Sequence, residues 1–113
     1  MNAQDLIART NEFLTAYQNK DLAAISEMVS EDVLLRDWNL EVRGKGALLF
    51  EFDKNFRSSD SIKIEVKNHY LSDQAVMAEL QILVDEQITL AVVDRLSFDS
   101  SGLVSEIVSY KGL

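Results

Sequence analysis

The stretch Gln87 to Gly112, QITLAVVDRLSFDSSGLVSEIVSYKG, leaves this chain few folds to choose from. It reads as two strands joined by a turn at Ser100-Ser101-Gly102, where Gly102 suits the left-handed position of a short hairpin loop. Alternation along the first strand puts Ile88, Leu90, Val92, Leu96 and Phe98 on one face. Asp94 falls on that face too, in the middle of the apolar row. A carboxyl there loses its water shell, so it must be paired, accept several hydrogen bonds or take up a proton. Two arrangements meet that demand: an Asp turned into an internal pocket, or a half-buried Asp at a sheet edge that bonds backbone N–H groups.

The rest of the chain supplies helices first and strands later. Residues 3–18 carry Leu6, Ile7, Phe13, Leu14 and Tyr17 at helical spacing behind Asn2, a good N-cap. Asn19-Lys20 breaks the pattern, and Asp21 caps a second short helix through Leu22, Ile25, Met28 and Val29. A strand over 33–38 places Val33, Leu35 and Asp37 on one face, with Leu40–Arg43 as its short partner. Gly44 and Gly46 lack the spacing of a phosphate-binding loop and are expected to open a third helix, 46–57. Its stripe is Leu48, Leu49, Phe52 and Phe56, with Phe50 pointing to solvent. From Ser61 onward strands follow one another. The first has Ile62, Ile64, Val66, Asn68 and Tyr70 on its inner face, and Lys63, Glu65, Lys67 and His69 in solvent. The next is Ala75–Val84, and the turn at Asp85-Glu86 leads into the hairpin.

This order is α+β in a single domain, 1–113. The formal net charge of −8, with no Lys/Arg run, disfavours nucleic acid and anionic membrane surfaces as partners. Without cysteine there is no thiol chemistry, disulfide or Cys-based metal site, and an activity run by two Asp residues in a cavity is expected to need no metal or organic cofactor. The start lacks the pattern of a secretory signal, and apolar runs such as Leu90–Val93 are too short to span a bilayer, so a cytoplasmic protein is expected. Met77, Leu83, Ala91, Val93, Val108 and Tyr110 make the outer sheet face too apolar to be wholly wet, which points to a homodimer.

Four segments carry a family likeness: NKDLAAI at 19–25, SEDVLLRD at 30–37, GKGALL at 44–49 and VVDRLSFDSSG at 92–102. Through them the chain resembles the nuclear-transport-factor-2-like superfamily, which includes ketosteroid isomerase and SnoaL-like polyketide cyclases. The resemblance implies a cone: a curved antiparallel sheet wrapped on three N-terminal helices. In ketosteroid isomerase an Asp shuttles a proton between carbons, while a Tyr and a protonated Asp stabilise the dienolate oxygen. By that likeness Asp37 stands in the place of the base and Asp94 in that of the protonated donor. Phe13 occupies the tyrosine's place, with Tyr17 one helical turn further along the same face, and Trp38 stands where the isomerase has proline.

From the residues alone, Asp37 is equally suited to capping a turn or to pairing with Arg36 or Arg43. Asn68 and Ser109 are further donors, although the turn leaves the inward or outward facing of Ser109 open. Trp38, Phe52, Phe56 and Tyr70, with Tyr17, either line a pocket or plug it. Three functions fit these residues. One is an isomerase or cyclase acting on a small apolar molecule, with Asp37 and Asp94 catalytic. Another is a pocket that binds such a molecule without turning it over. The third is a structural homodimer with a filled core.

Overall fold

The computed structural model describes residues 1–112. Helix α1, Ala3–Gln18, starts in a capping box in which Asn2 accepts from the Asp5 amide at 2.9 Å and the Asp5 carboxylate accepts from the Asn2 amide. The chain then turns through Lys20, a non-glycine residue at φ 58, into α2, Leu22–Met28, which Asp21 caps by accepting from the Ala24 amide at 3.0 Å. Strand β1, Val29–Arg36, begins earlier than the sequence pattern suggests. Val29 leaves the helix in extended conformation and already pairs with Val104, ahead of an irregularity that ends at Leu34. Strand β2, Glu41–Arg43, precedes helix α3, Lys45–Arg57, whose N-cap Gly44 takes φ 106. Strands β3 (Ile62–Ser72), β4 (Ala75–Val84), β5 (Ile88–Phe98) and β6 (Val104–Lys111) complete the chain.

The six strands form one sheet in the order β2-β1-β6-β5-β4-β3. The sheet is mixed rather than wholly antiparallel, because β1 returns beside β6 in parallel while every other neighbour is antiparallel. That placement puts the end of β1 beside the middle of β6, with Arg36 opposite Val108. The inner sheet face carries Val76, Ala78, Leu80, Leu96 and Ile107, all buried against Leu6, Phe13 and Leu14 of α1 and Leu48, Phe52 and Phe56 of α3.

One strand departs from simple alternation. In β3, Val66 pairs with Leu80 but Asn68 pairs with Glu79, so Lys67 is an extra residue and the later side chains change sides. Asn68 and Tyr70 therefore lie on the outer face, both bonded to the Glu79 carboxylate, and Tyr70 is 56% exposed. Their expected inward placement is corrected by this bulge. The same shift brings His69 out of solvent and under α1, with Nε2 2.8 Å from Asn11 Oδ1. At the free edge of β3 the Ile64 amide donates to Gln18 of α1 at 2.7 Å, which occupies an otherwise unpaired backbone group.

The α1–α2 corner is tied to the end of α3 by a single cation. Lys20 sends its ammonium to the carbonyl oxygens of Phe56 at 2.8 Å, Ser59, and Asp60 at 3.4 Å. These are carbonyls of the last helical turn and of the loop beyond it, where a positive charge is favoured. No helix among the described residues is long and apolar enough to cross a membrane.

Candidate functional site

Between the helices and the inner sheet face lies a cavity of about 310 Å³. Its wall is apolar over most of its extent: Phe13 and Leu14 from α1, Phe52 from α3, Leu35 from β1, and Ile64, Ile82, Leu90, Val92 and Ile107 from the later strands. Into this wall are set Tyr17, Asn55, Asp37, Asp94 and Ser109, with Trp38, Asn39, Ser58 and Ser59 also contributing. The expected Asp37, Asp94, Tyr17, Trp38, Phe52 and Ser109 thus come together at one space. Asn68 and Tyr70 do not, for the reason given by the β3 bulge. Phe56 does not line it either. It is buried behind Tyr17, ring centroids 4.8 Å apart in an edge-on contact, and serves as packing.

Asp94 sits on an interior strand, paired directly with Ser109 across the β5–β6 ladder. That register settles the parity of the hairpin: both side chains point inward, and Ser109 Oγ donates to Asp94 Oδ1 at 2.6 Å. Burial raises the Asp94 pKa to about 6. The Ser109 hydrogen bond opposes the rise by favouring the charged form, and the Asp37 charge adds to it. The edge arrangement bonded to backbone N–H groups is not the one adopted.

Asp37 follows the end of β1, where Oδ1 accepts from the amides of Asn39 at 2.7 Å and Leu40 at 3.0 Å while its own amide donates to Leu40 O. This side-chain turn holds the β1–β2 connection and fixes the carboxyl at the cavity. Neither neighbouring arginine is its partner: Arg36 faces Glu41 at 3.8 Å, and Arg43 donates to the Asp32 carbonyl. Asp37 and Asp94 are not hydrogen-bonded to each other among the described residues.

Tyr17 is held edge-on between Phe52, at 4.9 Å, and Phe56. Asn55 Nδ2 donates to its hydroxyl oxygen at 3.1 Å, which leaves the phenolic proton for a ligand. Burial pushes its pKa above the usual 10.0, against the Asn55 hydrogen bond and with help from the two carboxyl charges, so Tyr17 is a donor at neutral pH. Asn55 was not singled out from the sequence, yet it stands three residues after Phe52 on the same helical face, a signal that was there to read. Among the described residues no three His, Cys, Asp or Glu side chains are grouped to hold a metal ion.

The model of the SnoaL-like domain family matches residues 10–107 of the chain. No curated protein matches the sequence. Among solved structures, a SnoaL-like protein of unknown function from Burkholderia thailandensis E264 superposes with a TM-score of 0.86 at 12% identity, over 99% of this chain and 98% of that one. A proposed ketosteroid isomerase from Kribbella flavida DSM 17836 gives 0.85 at 13% identity, over 97% and 79%. A proposed SnoaL-like polyketide cyclase from Shewanella denitrificans OS-217 gives 0.85 at 13% identity, over 95% and 90%. At such identities the likeness speaks for the fold alone.

Proposed function

The chain belongs to the SnoaL-like domain family, and within it we propose an acid–base enzyme that shifts a proton on, or closes a ring in, a small apolar carbonyl compound. One observation carries this reading: two carboxyls in unlike surroundings, Asp37 and Asp94, share a mostly apolar cavity with the Tyr17 hydroxyl. Asp37 is the base, with Oδ1 held by two amides, which leaves Oδ2 to take the substrate proton. Asp94 is the neutral donor. Ser109 occupies its Oδ1, so the acid proton resides on Oδ2 and, with the Tyr17 O–H, bonds the substrate oxygen. As Asp37 removes a proton next to the carbonyl, charge builds on that oxygen and both donor bonds strengthen. A bound substrate also expels water and favours the protonated form of Asp94 further. Each step uses only acid, base and hydrogen-bond donors.

The cavity volume is at the lower end of ligand sites, which suits a molecule of roughly one or two fused rings. The test is proton exchange from D2O into small cyclic enones, followed by NMR. Exchange that vanishes in Asp37→Asn while the enone still binds supports the base assignment. Binding without exchange at any pH overturns catalysis and leaves a ligand-binding module, a reading favoured by the structural work Asp37 already does in its turn.

A further inference from the structure

We infer that the cavity also takes small apolar amines in their protonated form, seated against the Asp94 carboxylate. This requires only that the cavity hold a ligand, not that it turn one over. The titratable groups facing the space are Tyr17 from α1, Asp37 from the β1–β2 turn and Asp94 from β5, and no Lys, Arg or His is among the described lining residues. The two nearest cations already have partners. Lys20 sits on the carbonyls of Phe56 and Ser59, and the Lys111 ammonium lies 5.6 Å from the Trp38 ring centroid. An entering anion meets two carboxyls and no counter-ion. An ammonium meets those carboxyls and the aromatic side chains Phe13, Tyr17 and Phe52, a type of ring that attracts cations.

Carbonyl and ammonium ligands then need opposite forms of one side chain. A carbonyl oxygen calls for the protonated Asp94 that donates to it. An ammonium calls for the ionised form, and supplies the counter-ion that this buried carboxylate lacks. With the Asp94 pKa at about 6, pH sorts the two classes within the neutral range.

The experiment compares three bicyclic probes of one size by calorimetry: 1-indanone, 1-aminoindane and indane-1-carboxylate, each at about pH 5 and about pH 8. The amine stays largely protonated at both. Its affinity is expected to rise about tenfold towards the higher pH, following the ionised fraction of Asp94. The ketone is expected to move the other way, and the carboxylate to stay unbound. Asp94→Asn should flatten the amine's pH dependence. Ser109→Ala, which removes a bond to the charged form, should move its midpoint upward. Ketone binding without amine binding overturns this inference and leaves the carbonyl enzyme standing. Silence from all three probes overturns both, as does tight binding of the carboxylate for the charge argument.

Discussion

Ser109 and Asp94 face each other across the β5–β6 ladder with hydroxyl and carboxylate 2.6 Å apart, inside a wall that is otherwise apolar. The pairing offers one strong hydrogen bond in place of a hydration shell. It moderates the effect of burial without cancelling it, and the carboxyl is left poised at about 6.

Stability should record that poise. The Asp94 carboxyl is raised from 3.8 to about 6 on folding, so between those values the unfolded chain loses its proton first. The folded state is therefore progressively disfavoured as pH rises through this window. Below it both states are protonated and the cost is absent; above it the cost is complete, of the order of 2–3 kcal/mol. Asp94→Asn should thus gain on the parent by about 2 kcal/mol between acid and neutral pH, read from denaturant midpoints. A variant that loses ground at neutral pH would show an ionised structural anchor instead.

Removing the hydroxyl pushes the same equilibrium further. Ser109→Ala should lift the Asp94 titration midpoint by about one pH unit, as befits the loss of a hydrogen bond to a charged group. Carbon-13 shifts of the Asp94 carboxyl measure this directly, and an unchanged or lowered midpoint would contradict it.

Turnover carries its own sign. With Asp94 as the neutral donor, the rate should fall as pH climbs through about 6, and Asp94→Asn should lose that descending limb because an amide still donates. A rate that climbs through the same range would exchange the roles of the two carboxyls. Tyr17→Phe should lower kcat by about 10²-fold or more. Asn55→Ala should lower kcat by less, with little change in KM, because it only orients the phenol.

The outer sheet face is expected to join two copies of the chain. Tyr70, returned to this face by the β3 bulge, stands beside Met77, and Tyr110, 50% exposed, stands beside Val93. Sedimentation at micromolar concentration should show a dimer and Val93→Glu a monomer; a monomeric parent would remove the interface.

Legibility followed regularity. Asp94 and Asp37 were readable because each lies on an apolar row whose alternation is unbroken up to that residue. Ser109 needed only the hairpin register. Asn68 and Tyr70 were misplaced because one inserted residue, Lys67, reverses every later side chain of β3, and nothing in IKIEVKNHY marks where it sits. The parallel seating of β1 beside β6 was hidden for a different reason. Strand partners far apart in sequence leave no local pattern, whereas α1 announces its face and its cap, and α3 its face. Phe56 shares the inward stripe of α3 with Phe52, but it packs behind Tyr17, and Asn55 beside it reaches the cavity wall instead.

Lys20 is not among the residues lining the cavity, yet it joins segments some 36 to 40 residues apart through one ammonium group. The partly buried charge is matched only while the carbonyls of Phe56, Ser59 and Asp60 are gathered around it. Ser58 and Ser59 belong to the cavity wall at this same loop. Loosening one segment would strand the cation and remove a tie on the other, so the two are expected to open together. Amide protons of residues 19–21 and 58–61 should therefore exchange at a common rate, and ligand entry should follow that rate instead of the separate flexibility of either loop.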